Sequence, residues 1–152
     1  MTDPQIQLQQ VNIVVPDVGS ASAFLQALGV DVPDAAPEWS EWMPHHRGVA
    51  STVEGFDAEL DSAAFAREWG GMPDGWTGVV LTLRVPTRDA VDAGYERALT
   101  AGASPQREPY DAFWGSRFAA VAGPGGLVVG IMSPRDDNMR SEPPDPASFA
   151  DA

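Results

Sequence analysis

The stretch Val11-Asn12-Ile13-Val14-Val15-Pro16-Asp17 runs into Phe24, Leu28 and Gly29, and 70 residues later Leu81-Thr82-Leu83-Arg84-Val85-Pro86-Thr87 runs into Tyr95, Leu99 and Gly102. Each reads as a strand, a Pro-containing turn, a helix with an aromatic on its buried face, and a glycine stop. Self-similarity at a fixed offset marks a duplicated structural module. Around the first copy, Gln9–Val15 alternates as a half-buried strand, Asp17 with Ser20 caps a helix over 20–28, and Phe24, Ala27 and Leu28 form that helix's buried face. A loop at 31–38 leads to three segments of strand character, Trp39–Met43, Arg47–Val53 and Phe56–Leu60, with Glu54-Gly55 as a hairpin turn. Ala63–Trp69 reads as a short helical turn and Gly70–Gly75 as a connector.

Around the second copy, Gly78–Val85 is a strand rich in β-branched and aliphatic residues, and Arg88–Ala101 is a helix with Val91, Tyr95, Ala98 and Leu99 as its buried stripe. Strands follow near 104–112, 116–122 and 127–132, the last two joined by the Gly123-Pro124-Gly125-Gly126 turn. The order is βαβββ twice, with strands in runs, so the fold class is α+β. The expected layout is a polar lead-in over 1–8, a single domain over 9–134 made of modules at about 9–70 and 78–134, and a tail over 135–152. In that tail Pro and Asp dominate, which predicts disorder or a segment draped over a partner.

Twenty-two acidic residues stand against nine arginines and no lysine, giving a formal net charge of −13 over 152 residues. Such a surface repels phosphate backbones and anionic bilayers, so nucleic acid and membrane surfaces are excluded as expected partners. A high acidic charge maintains solubility in salt, and a GC-rich genome also disfavours lysine codons; composition leaves both origins open. No apolar run approaches the roughly 20 residues of a membrane span, and no basic segment precedes an apolar stretch near the N-terminus. These features predict a cytoplasmic protein. With no cysteine, disulfides, thiolate metal sites and Cys nucleophiles are excluded.

The repeat and several local motifs resemble the glyoxalase/bleomycin-resistance/extradiol-dioxygenase superfamily, the vicinal oxygen chelate proteins. The most specific piece is Tyr110-Asp111-Ala112-Phe113-Trp114-Gly115-Ser116-Arg117-Phe118, continuing through Gly123–Gly126 to Ser133-Pro134. The resemblance spans about 9–134 and implies that each βαβββ module curls into a half-barrel, that two half-barrels enclose a cavity, and that homodimers are common. Metal-dependent relatives use a His at the start of each module's first strand and a Glu or similar on its last. Here those positions hold Gln10 and Val80 on the first strands and Gly130 on the final strand. Module one offers Glu59, with Asp57 and Asp61 on the same face. Gln ligates weakly through its carbonyl oxygen, and Val and Gly not at all. The resemblance thus implies no standard metal and no cofactor, with a displaced divalent ion as the alternative.

His45 and His46 are adjacent and face opposite ways on a strand, so they cannot readily chelate one ion together. One is a candidate acid/base or improvised ligand; a polar strand edge is the structural alternative. His46-Arg47 also suits a carboxylate-bearing ligand. Trp39, Trp42 and Trp114 lie on expected strands and suit either a core or the aromatic wall of a planar-ligand pocket. Tyr110 is either a hydrogen-bonding wall residue or a plain strand aromatic. Arg117, flanked by Phe113, Trp114, Phe118 and Val121, is either an anchor for an anionic ligand group or part of an internal ion pair with Asp111, Glu59 or Asp61. The expected function is a small-molecule-binding protein, metal-independent and homodimeric, holding a planar or amphipathic ligand at Gln10, Trp39, Trp42, His45, His46, Tyr110, Trp114 and Arg117. The alternative is a lyase, isomerase or dioxygenase-like enzyme with His46, Glu59 and Arg117 as its candidate chemical groups.

Overall fold

The computed structural model describes residues 6–149 and divides into two compact units, one built mainly on Gln10–Glu68 and the other on Val80–Pro143. Residues 6–9 and 69–71 belong with the second unit, and 72–79 and 144–149 with the first. Seven strands and three α-helices are present among the described residues, and the class is α+β.

In the first unit, β1 (Gln7–Val15) leads into α1 (Val18–Ala27). Asp17 caps that helix, its Oδ1 accepting the Ser20 amide at 3.0 Å, and Gly29 ends it at φ +96°. β2 (His46–Val49) pairs antiparallel with β3 (Asp57–Ser62), and β3 pairs parallel with β1. α2 (Ala63–Gly70) follows, with Ser62 Oγ accepting the Phe65 amide at 3.1 Å in its first turn.

The second unit repeats this plan with one strand more. β4 (Gly78–Arg84) leads into α3 (Arg88–Thr100), whose cap is Thr87, accepting the Ala90 amide at 3.1 Å. β5 (Ser104–Asp111), β6 (Arg117–Ala122) and β7 (Val128–Met132) complete a sheet in the order β4-β7-β6-β5. β4 and β7 are parallel, as β1 and β3 are. Val85, Val91, Tyr95, Ala119, Val121 and Ile131 form the core between α3 and its sheet.

Two expectations are corrected. The segment Trp39–Met43 is not a strand: Pro37–Trp42 is a 3-10 helix, because Pro37 at its start fixes the helical φ and lacks the N–H a strand ladder would use. Module one is therefore βαββ, without the strand equivalent to β5. Phe24 and Leu28 are 65% and 67% exposed; α1 buries Val18 and Ser22 instead, one turn apart on a different face. The tail, expected to be disordered or draped over a partner, carries short 3-10 turns at Asp137–Met139 and Pro146–Phe149 among its described residues, and 150–152 lie outside them. Phe149 is only 4% exposed, with ring contacts to Trp42 at 5.6 Å, Phe65 at 5.7 Å and His45 at 5.1 Å. One aromatic side chain is enough to anchor an otherwise polar segment.

The parallel pairings align the two copies residue by residue. Asn12 stands opposite Glu59 as Thr82 stands opposite Gly130, and Gln10 opposite Asp57 as Val80 opposite Val128. The antiparallel pairings extend the match: His46 opposes Asp61 as Phe118 opposes Met132. Glu59 is thus the counterpart of Gly130. A Cβ at Gly130 would lie 2.9 Å from Phe118 Cε2 and Cζ and 2.9 Å from Thr82 Oγ1. Gly130→Ala is expected to destabilise by about 1–3 kcal/mol, as overpacking does. A urea titration checks this, and an unchanged midpoint would show that the ring has room to move.

Candidate functional site

One face of the first unit's sheet carries five polar side chains, where the second unit carries Val80, Phe118 and Met132, the single hydroxyl of Thr82 and no side chain at Gly130. Gln10 and Asn12 are both inward-facing on β1 and buried, because alternation on a strand puts i and i+2 on one side. Asn12 pairs with Glu59 on β3, Asp61 follows two residues later on the same strand, and β2 adds His46 opposite Asp61. Gln10 Nε2 donates to Asn12 Oδ1 at 2.9 Å and to Glu59 Oε2 at 3.2 Å. Asn12 Nδ2 donates to Asp61 Oδ2 at 2.8 Å and to Glu59 Oε2 at 3.3 Å. His46 Nδ1 lies 2.6 Å from Asp61 Oδ1, and its Nε2 lies 3.9 Å from Glu59 Oε2. Asp61 is fully buried, so the donors of Asn12 and His46 replace the water it loses.

The counterparts of Gln10, Asn12, His46, Glu59 and Asp61 are Val80, Thr82, Phe118, Gly130 and Met132. Phe118 is at the centre of an aromatic group, edge-to-face with Trp69 at 5.7 Å, Tyr110 at 6.1 Å and Trp114 at 5.8 Å. Tyr110 also donates its hydroxyl to the Trp69 carbonyl at 2.8 Å. The polar set is therefore not something this strand arrangement requires for folding.

The remaining sequence candidates have different surroundings. His45 turns the other way from His46, with Nδ1 3.0 Å from Ser62 Oγ and its ring against Phe149. Trp42 packs edge-on against Phe65 at 5.0 Å, while Trp39 is about half exposed. Arg117 is paired: Nε and Nη2 donate to the two Asp92 oxygens, both at 2.9 Å, and Nη1 donates to Asp111 at 3.1 Å. Asp111 also accepts from Arg88 at 2.6 Å. The hydrogen bonds from Arg88, then Arg117, hold the Asp111 carboxyl below its ordinary pKa. Of the sequence candidates for an internal ion pair with Arg117, Asp111 is a partner; Asp92, on the exposed side of α3, carried no signal in the strand pattern.

Burial pushes the His45 pKa below its ordinary value. Its neutral form is the one the folded chain favours, so the unfolded chain takes up more protons as pH falls below about 6.5. The melting temperature is expected to drop on acidification through that range, with a shallower slope in His45→Asn. Equal slopes in the two proteins would remove His45 from the pH dependence.

His46, Glu59 and Asp61 each offer one ligand atom, all within 4.8 Å of one another, a group that could gather on a divalent cation. Two atoms bound to the same ion at about 2.0–2.2 Å stand roughly 3 Å apart. The 2.6 Å between His46 Nδ1 and Asp61 Oδ1 is that of a charge-assisted hydrogen bond. The two-module centre of metal-dependent relatives does not fit this chain: Val80 has no donor atom, and Phe118 and Thr82 fill the space a side chain at 130 would need. Sequence reasoning missed Asn12 as a site residue; the signal was a lone amide within the apolar run Val11–Val15.

The fold and this face define a duplicated α+β domain with its polar chemistry concentrated in one copy. The chain belongs to the Glyoxalase/Bleomycin resistance protein/Dioxygenase superfamily, whose family model matches residues 7–131. No curated protein sequence matches it. Among solved structures, it is similar to the Mn(II)-bound glyoxalase from Novosphingobium aromaticivorans, with a TM-score of 0.56 and 17% identity, covering 85% of this chain and 39% of that one. It is similar to methylmalonyl-CoA epimerase from Mycobacterium tuberculosis, with a TM-score of 0.55 and 18% identity, covering 91% and 95%. It is also similar to the structure of NAD-dependent benzaldehyde dehydrogenase from Legionella pneumophila, with a TM-score of 0.58 and 14% identity, covering 82% and 96%. Such varied activities on one backbone show that the fold does not select a reaction. No helix among the described residues is long and apolar enough to cross a membrane.

Proposed function

We propose that this protein binds a small planar or amphipathic organic cation on the polar face of its first unit, without the two-module metal centre of its metal-dependent relatives. The observation that carries the reading is the division between the two copies. One keeps Gln10, Asn12, His46, Glu59 and Asp61 together, and the other holds Val80, Thr82, Phe118, Gly130 and Met132 at the same positions. Glu59 and Asp61 bring two carboxylates to this face, which suits a cationic ligand. The net charge of −13 attracts such a ligand over longer range. The reading extends to a cytoplasmic homodimer that sequesters its ligand, with nearby Trp42 as an optical reporter.

The test is titration with a panel of amphipathic cations and their neutral isosteres, read by tryptophan fluorescence and thermal shift. Cations should raise the melting temperature and isosteres should not; Glu59→Gln should weaken binding about tenfold, the loss of one charge-assisted contact of about 1.5 kcal/mol. No response across the panel would sink the reading. The second reading is a lyase- or isomerase-like enzyme with a divalent ion at His46, Glu59 and Asp61, favoured by the 4.8 Å grouping. Metal analysis of protein purified without chelator separates the two: stoichiometric metal lost in His46→Ala would establish the second.

A further inference from the structure

We propose that His46 is a proton-transfer group, positioned by Asp61, that tautomerises a cationic carbon acid bound at this face. The inference rests on the ligand-binding reading above and adds a reaction to it. Asp61 is fully buried, and its two oxygens accept from different elements: Asn12 on β1 at 2.8 Å and His46 on β2 at 2.6 Å. A carboxylate has no proton to give, so the hydrogen of that short contact belongs to His46 Nδ1. The base electron pair of the neutral ring then sits on Nε2, and the ring is 38% exposed. Phe65 packs edge-on against it at 5.7 Å, which limits its rotation. A buried carboxylate fixing the tautomer and angle of an accessible imidazole is the arrangement of a positioned general base.

His46 lies between Asp61 and Glu59, whose Oε2 is 3.9 Å from Nε2. His45 differs: its Nδ1 meets the neutral Ser62 hydroxyl and its ring meets Phe149. In the second copy the His46 and Asp61 positions hold Phe118 and Met132, so packing alone does not call for the pair.

The same charges set the substrate class. Glu59 and Asp61 oppose a developing enolate oxygen, and Arg117 is engaged by Asp92 and Asp111. An iminium or amidinium compound carries its charge the other way. Its α-C–H proton moves to Nε2, the C–H electron pair becomes the C=C bond of a neutral enamine, and the C=N π pair returns to nitrogen. The imidazolium then gives its proton back at carbon or at nitrogen. The cycle needs no oxidant, reductant or other co-reactant.

Two measurements on the full chain test this. Long-range 15N–1H correlation should show neutral His46 protonated at Nδ1, with His45, the only other histidine, as internal reference. In Asp61→Asn the downfield Nδ1 proton should vanish; an Nε2-protonated ring in the unmodified protein overturns the proposal without recourse to any variant. Second, 1-methyl-3,4-dihydroisoquinolinium, a planar cation with exchangeable methyl protons, is incubated with the protein in D2O. Methyl exchange should exceed that in equimolar imidazole by about 10²-fold. His46→Gln, with its far-UV circular dichroism showing that it is folded, should return it to background. Exchange at the imidazole rate, or exchange unaffected by His46→Gln, overturns the proposal. Quenching without exchange would refute proton transfer and leave the binding reading standing; loss of quenching in the unmodified protein strikes the binding reading, and the tautomer then decides the pair.

Discussion

Truncating Phe118 to alanine is expected to cost about 3–5 kcal/mol of folding stability. The ring is only 2% exposed and is met on three sides by Trp69, Tyr110 and Trp114, each in an edge-to-face arrangement. Such pairs contribute about 0.5–1.5 kcal/mol each beyond the area they bury, so the loss should lie toward the upper part of that range. With roughly 2–4 °C of melting temperature per kcal/mol for a chain of this size, the shift is easily seen in a thermal scan. The cavity should also relieve the collision that a side chain at 130 would meet. Gly130→Ala should therefore be less damaging in the Phe118→Ala background than alone, a coupling readable from a double-mutant cycle. A loss below about 1.5 kcal/mol would mean that Phe118 does not hold this cluster together.

Asp61→Ala should be the most damaging single change in the polar face. It removes the acceptor from Asn12 Nδ2 and His46 Nδ1 together. Hydrogen bonds to a charged group contribute about 1.5–3 kcal/mol each, and a buried donor left without its partner adds its own desolvation cost. The expected loss exceeds about 3 kcal/mol by urea titration. Asp92→Ala is the control, because its partner Arg117 keeps Asp111 and the pair lies nearer the surface. Exposed ion pairs of that kind contribute about 0.2–1 kcal/mol. Equal losses from the two substitutions would show that the buried network has no special weight.

Much of the architecture was legible because the repeat survives where backbone geometry demands it. Asp17 and Thr87 cap equivalent helices, and Gly29 and Gly102 end them at φ +96° and +101°. The 70-residue offset also located Gln10 and Val80 correctly relative to one another, since both stand two residues before the Asn12 and Thr82 pairing positions. What failed was local composition read without tertiary contacts. The Trp residues of 39–42 suggest a strand, yet Pro37 opens a helical turn there. Phe24 and Leu28 have helical spacing, but the face of α1 that packs is the one with Val18 and Ser22. The His46–Asp61 contact depends on antiparallel register across a hairpin, and strand patterns do not specify that register to one residue. Arg117 looked costly alone because its main partner, Asp92, is on a helix 25 residues earlier.

The unequal copies also set what a saturation mutagenesis map of this chain should look like. At Val80, Phe118, Gly130 and Met132, tolerance should follow volume: hydrophobic replacements of similar size survive, and nothing larger than hydrogen does at 130. At Gln10, Asn12, His46, Glu59 and Asp61, it should follow hydrogen-bonding capacity, with isosteric apolar replacements rejected. Two sets of positions related by one structural repeat would then obey different rules of substitution, and an average over the two repeats would describe neither.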